Sequence, residues 1–255
     1  MKYVIRRFAN RSEMLDSLAD AFLERIQSKL IAQGTVRIVF GGGRTQKELN
    51  DRIVALGRGQ ADWSSVIVYL SDERCVALDH GQSNYFLNLT TLALPLGIPS
   101  ANVHPFNVDS KPETAAADYD RKLRDRSCGQ GEFLFDLALL GLGPDGHTAS
   151  LFPGSPALNE KASLAAPAGK GPEGLDRITL TYPALNRSDQ IWIMAAGREK
   201  SRAVSKILSG STVAAQCPAA GLRPSREELT LWLDQEAAVS KEANKKTQTR
   251  EACHV

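Results

Sequence analysis

Three short stretches of this 255-residue chain concentrate side chains and backbone able to do chemistry. The run GLGPDGHTASLFPG, 141 to 154, places three glycines and a proline in its first six residues and delivers Asp145 and His147 two positions apart. A histidine on a sharply shaped loop can serve as a general base at neutral pH. A carboxylate beside it fixes its tautomer and raises its basicity; an imidazole merely bonded to loop backbone is the competing reading. Gly41, Gly42 and Gly43 precede Arg44 and Thr45. Unhindered N–H groups at a helix start suit a phosphate, although a tight turn needing positive φ would use the same glycines. Asp72, Glu73 and Arg74 form the third cluster, where an arginine can grip a phosphate with two parallel hydrogen bonds or close a strand-end salt bridge.

Other chemistries find little support. The glycine spacing is neither G-x-G-x-x-G nor a Walker loop, so nucleotide binding is not expected. Ser150 lies outside a G-x-S-x-G elbow, which argues against a serine hydrolase. Cys75, Cys128, Cys217 and Cys253 are widely separated, without a Cys-x-x-Cys pair. They are expected as free thiols in a reducing cytoplasm, with no metal site and no cofactor.

The elements that must carry these clusters follow from the apolar pattern. Leu15, Leu18, Phe22, Leu23, Ile26 and Leu30 recur three or four apart, predicting an amphipathic helix over 12–33 with Ser12 as N-cap and Gly34 as its stop. VRIVF (36–40), VIVYL (66–70), FDLALL (135–140) and IWIMA (191–195) are apolar at nearly every position. Strands buried on both faces read this way. The first runs through the glycines into a helical pattern at Leu49, Ile53 and Leu56, and the last precedes a helix from about Arg198. The fold class expected is therefore α/β, a mostly parallel sheet covered by helices on both faces. ITLTY (178–182) reads as an alternating edge strand, LTLWL (229–233) as a further strand, APAGKGPEG (166–174) as a loop, and the residues after His147 as a short helix. In such sheets ligands collect beyond the strand carboxyl ends, which is where all three clusters fall.

Composition agrees. At this length one hydrophobic core suffices, so a single domain over 1–238 is expected, with 239–255 as a polar tail. No apolar run approaches the roughly 18 residues that span a bilayer, and the first residues lack the apolar core of a signal peptide. Net charge is +2 with both signs mixed, which gives no footprint for nucleic acid.

With the clusters in view, the chain resembles the 6-phosphogluconolactonases, whose fold group also holds glucosamine-6-phosphate deaminases and ribose-5-phosphate isomerases. The resemblance rests on FGGGRT (40–45), SDERCV (71–76) with SNY (83–85), FDLALLGLGPDGHTASLFPGSPAL (135–158), RITLTYPALNRS (177–188), GREKSRAV (197–204) and PAAGLRPS (218–225). It implies a phosphorylated sugar lactone as small-molecule substrate, hydrolysed by water that His147 activates while Asp145 orients the imidazole. It further implies phosphate or substrate contacts from Gly42, Gly43, Arg44, Thr45, Asp72, Arg74, Arg177 and Lys200. Where the family's glycine loop commonly carries Ser and Pro this chain has Gly41 and Gln46, which is expected to loosen the loop. Where the deaminases carry a ring-opening glutamate it has Phe152. The alternatives left by the resemblance are such a deaminase and a non-catalytic phosphosugar sensor.

Overall fold

The computed structural model describes residues 3–127, 134–210, 212–226 and 229–238. The expected polar tail 239–255, Cys128 and Cys253 lie outside them. The chain begins with strand β1 (Tyr3–Phe8) and helix α1 (Arg11–Gln33). The cap of α1 is Asn10, not Ser12: Asn10 Oδ1 accepts the Glu13 N–H at 2.9 Å. Asn10 is the last residue with extended backbone, so its side chain alone is placed to turn back onto the first turn. Gly34, at φ 75°, ends the helix as expected.

The order continues β2 (Val36–Phe40), α2 (Arg44–Gly57), β3 (Val66–Leu70), β4 (Asp72–Arg74), α3 (Asn84–Asn88), α4 (Leu94–Leu96) and β5 (Val103–His104). Next come α5 (Pro112–Ser127), β6 (Phe135–Gly141), β7 (Ala165–Lys170), β8 (Asp176–Leu180), α6 (Tyr182–Leu185), β9 (Ser188–Ala195), α7 (Ser201–Ser209), β10 (Leu229–Asp234) and α8 (Gln235–Ala238). Seven strands pair in the order β1-β10-β9-β6-β2-β3-β5, every neighbour parallel. Alternate side chains feed two cores. Val36, Ile38 and Phe40 of β2 pack with Leu15, Phe22 and Ile53 from α1 and α2 on one face. Val39 joins Tyr119 and Leu123 of α5 and Val204 and Ile207 of α7 on the other. Burial on both faces is why these strands read as unbroken apolar runs.

A second sheet, β4-β8-β7, is antiparallel and is not evident from the sequence pattern. ITLTY is its central strand, starting earlier at Asp176, rather than an edge: Ile178, Thr179 and Leu180 are fully buried between two partners. The segment read as a loop from Ala166 supplies β7, where the register shifts between Pro167 and Gly169. That irregularity accommodates a proline and a glycine that argue against a strand by composition. The charged triplet Asp72–Glu73–Arg74 is β4 itself. No helix forms directly after His147; Thr148 and Leu151 instead make an isolated antiparallel bridge. Among the described residues no helix is long and apolar enough to cross a membrane.

Candidate active site

β9, β6, β2 and β3 are adjacent and parallel, so the loops at their carboxyl ends meet. They enclose a cavity of about 330 Å³, lined by the glycine loop, by Asp72 and Arg74, by Gly143 and His147, and by Arg177 and Lys200. That size lies within the range of small-molecule sites, about 300 to 1,000 Å³.

The loop after β6 closes on itself. Gly143 N–H donates to the His147 carbonyl at 2.8 Å and Gly146 N–H to the Gly143 carbonyl at 3.0 Å. The Thr148 hydroxyl donates to the Gly141 carbonyl at 3.0 Å. Gly143 allows the close approach of Asp145 and His147, since a Cβ there would fall 2.1 Å from His147 Nδ1 and 2.7 Å from Asp145 Oδ1. Asp145 Oδ1 accepts the His147 backbone N–H at 3.0 Å and lies 2.7 Å from Nδ1. A carboxylate only accepts, so the proton sits on Nδ1 and Nε2 keeps its lone pair for a substrate or water. Burial alone would raise the Asp145 pKa, but the His147 backbone N–H, the electrostatic attraction of the imidazole and its ring hydrogen bond together hold the carboxyl below the ordinary aspartate range. Phe152 lies against the imidazole, ring centroids 4.8 Å apart and planes at 55°.

The glycine loop is built by approach rather than by turn alone. A Cβ on Gly42 would meet Asn84 Oδ1 at 1.8 Å, and Asn84 Nδ2 donates to the Asp72 carbonyl at 2.9 Å. Gly43, at φ 87°, opens α2. The first N–H groups of that helix have no partner within the helix and carry its positive end. The Thr45 hydroxyl accepts from Arg11 Nη2 at 2.9 Å, and Arg11 Nε pairs with Glu48 at 2.8 Å. Arg44 is largely exposed, 3.8 Å from Glu48. Gln46 is buried and donates to Asn50, which donates in turn to Asn88 and Thr91.

Across the cavity, Arg177 lies almost wholly buried between Asp72, 3.5 Å away, and Glu173, which it contacts directly. Burial pulls its guanidinium below the ordinary arginine value, against the attraction of the two carboxylates. Arg74 donates to the Gln82 carbonyl at 2.5 Å and stands 3.8 Å from Glu173. Lys200 is half-buried, and that burial lowers its pKa. Asp72 is a framework group more than a ligand: its oxygens accept from Ser71 Oγ at 2.7 Å and Ser150 Oγ at 2.6 Å. Glu73 is fully buried, accepting three backbone N–H groups and the Ser83 hydroxyl. Desolvation nevertheless raises its pKa. Burial, with Asp176 and Glu73 nearby, pushes the Cys75 thiol up to about 11, which leaves it protonated at neutral pH. Among the described residues no group of three or more His, Cys, Asp or Glu is arranged to hold a metal.

Of the residues singled out from sequence, Gly42, Gly43, Arg44, Thr45, Asp72, Arg74, His147, Arg177 and Lys200 line this cavity, Asp145 stands behind His147, and Glu73 of β4 is buried. Sequence reasoning misses Arg11, Asn84, Ser150 and Glu173 as parts of the site. The SNY tripeptide marks Asn84 without giving it a role, and Ser150 is considered there only as a nucleophile. Nothing in the sequence marks Arg11, which arrives from a distant segment, and Glu173 stands in the stretch read as a loop, four residues before Arg177.

Known proteins place the geometry. The family model described as glucosamine-6-phosphate isomerases/6-phosphogluconolactonase matches residues 9–232. The 6-phosphogluconolactonase of Rattus norvegicus is 36% identical over 239 residues, covering 92% of each chain. That of Synechocystis is 35% identical, covering 89% of this chain and 94% of its own. The crystal structure of the 6-phosphogluconolactonase from Thermotoga maritima superposes with a TM-score of 0.79 at 30% identity, covering 91% of this chain and 99% of its own. With the cavity, the paired Asp145 and His147 and the glycine loop falling inside the matched span, the chain belongs to the glucosamine-6-phosphate isomerase/6-phosphogluconolactonase family.

Proposed function

We propose that this chain is a carboxylic ester hydrolase that opens 6-phospho-D-glucono-1,5-lactone to 6-phosphogluconate, the lactone-hydrolysis step of the oxidative pentose phosphate route. The single observation that carries the reading is the Asp145–His147 pair, 2.7 Å apart at the wall of a cavity that Arg44, Arg74, Arg177 and Lys200 also line. A δ-lactone is already electrophilic, so catalysis needs positioning and an activated water more than a covalent nucleophile. His147 Nε2 takes a proton from water as its oxygen attacks C1, and returns it to the ring oxygen as the tetrahedral intermediate collapses and the C1–O bond breaks. Asp145 holds the tautomer and stabilises the imidazolium between those steps. The 6-phosphate lies toward Arg74, Arg177 and the start of α2, with Thr45, Arg44 and Lys200 completing the cationic surround. Binding energy from this remote group orients the carbonyl. Gly143 and Gly146 N–H are occupied inside their own loop, which leaves the oxyanion to Lys200 or another donor at the rim.

Deamination of an amino sugar is disfavoured by Phe152, an apolar ring where that chemistry carries its acid. A pure phosphosugar sensor has no use for an imidazole whose tautomer is fixed by a carboxylate. The free thiols Cys75 and Cys217 suit a reducing cytoplasm. No nucleic-acid or membrane partner is proposed. The test is lactone hydrolysis measured with rapid subtraction of the spontaneous rate. Turnover of the phosphorylated lactone indistinguishable from that spontaneous rate overturns the reading.

A further inference from the structure

The phosphate side of the cavity already contains an anion of its own. Arg177 contacts Glu173 directly and Arg74 lies 3.8 Å from the same carboxylate oxygen. Asp72 stands 3.5 Å from Arg177 on the other side. Two guanidinium groups thus face two carboxylates, and the local charge is balanced before any substrate arrives. A phosphate dianion added to this set would lie against a like charge in a poorly solvated corner, at strong electrostatic cost.

Only one of the two carboxylates is free to leave. Asp72 is buried and held by the hydroxyls of Ser71 and Ser150. Glu173 sits on the turn between β7 and β8, its side chain 29% exposed against 7% for Arg177. Among the described residues, the polar partners of its carboxylate are the two arginines. The turn is shaped for this reach: a Cβ on Gly171 would fall 2.7 Å from Arg177 Nε and 2.8 Å from Glu173 Oε2. The Nε atoms of Arg74 and Arg177 are both buried without a hydrogen-bond acceptor, so the glutamate satisfies the pair incompletely. A phosphate, with three acceptor oxygens, can satisfy more of it.

We propose that Glu173 is an internal counter-ligand for the 6-phosphate: it holds the Arg74–Arg177 pair between turnovers, swings to solvent when the phosphosugar enters, and returns to help expel the 6-phosphogluconate product. This rests on the assignment of the 6-phosphate to that arginine pair. Glu173 then weakens substrate and product binding alike, which keeps a product bearing both a phosphate and a new carboxylate from lingering.

The test compares wild type with Glu173→Gln and Glu173→Asp, melting each to confirm folding. KM for the phosphorylated lactone and the inhibition constant for added 6-phosphogluconate are measured. Glu173→Gln removes the competing charge, so both constants should fall together by about tenfold, the scale of one charge-assisted hydrogen bond. Glu173→Asp, which keeps the charge, should stay nearer wild type. Constants in Glu173→Gln that rise or stay unchanged in a folded protein would overturn the proposal and make the residue a brace for the arginines. Arg74→Ala separates this from failure of the underlying assignment. If that variant keeps the wild-type preference for phosphorylated over unphosphorylated lactone, the phosphate lies elsewhere and both readings fall.

Discussion

The hydroxyl of Ser150 donates to Oδ2 of Asp72 across 2.6 Å, fastening the segment that follows His147 to the strand that carries Arg74. Just before Ser150 stands Ala149, whose φ of 49° makes it the one non-glycine residue with positive φ among those described. Left-handed backbone is unfavourable for an alanine and persists where its neighbours overdetermine it. Ser150→Ala leaves the buried Asp72 carboxylate short of a donor, and should lower stability by about 1 to 3 kcal/mol while reducing kcat. Thermal melts and steady-state kinetics check both, and an unchanged melting temperature would show the hydroxyl to be idle.

Replacing the proposed base is the most direct probe of the chemistry. His147→Ala should retain folding and product binding but lose roughly 10² to 10⁴ of kcat, the usual worth of general-base catalysis. Turnover within about threefold of wild type would remove the residue from that role.

Gly143→Ala asks whether the pair needs its close seat. The added methyl would enter the space of Nδ1 and Oδ1, so the imidazole must swing away. The expected result is a kcat loss approaching that of His147→Ala with KM little changed, because the phosphate side of the cavity is untouched. Normal turnover would mean that the loop relaxes around the methyl without displacing the base.

The charge of Asp145 sets a pH window. Its folded-state pKa is depressed, so its stabilising contribution is complete above the unfolded value of about 3.9 and is lost as pH falls through the lower folded value. Asp145→Asn should therefore melt below wild type at pH 7, keep that gap down to about pH 4 and close it below. A gap that widens in acid would reverse the sign and contradict the pairing.

Arg74→Ala should raise KM for the phosphorylated lactone by the equivalent of about 1.5 to 3 kcal/mol at most, the value of a charge-assisted contact. The already poor hydrolysis of unphosphorylated gluconolactone should change much less. Equal losses on both substrates would assign Arg74 to the reacting centre or to the fold.

Strands β2 and β3 are legible to the residue because both faces are buried and composition alone marks them. β1 is not, since YVIRRF lies at the sheet edge with four of its six side chains exposed and its apolar signal diluted. β4 hides for the opposite reason: its residues are charged, and only the framework of Ser71, Ser83, Asn84 and Ser150 makes their burial tolerable. The loop after β6, proposed as catalytic, announces itself through glycine density and the Asp145–His147 spacing. Glu173 does not: it stands only four residues before Arg177, but its contact with that guanidinium and its approach to Arg74 on β4 depend on the β7–β8 turn, which the Pro- and Gly-rich composition marks as no more than a loop.

The place of β10 governs how the molecule can be made. This strand lies inside the main sheet, between β9 and β1, with parallel partners on both sides. Among the described residues β1 pairs only with β10, residue for residue from Tyr3–Leu229 to Phe8–Asp234. During synthesis β1 must therefore wait, its hydrogen-bonding edge unmatched, until the chain has been extended from Phe8 as far as Leu229 and beyond. Pairings of such long sequence separation are slow to close, and an unmatched strand is open to wrong partners meanwhile. Cotranslational folding here is a matter of holding β1 in reserve, and truncation before β10 should leave a chain that collapses around β2, β3 and β6 without ever seating β1.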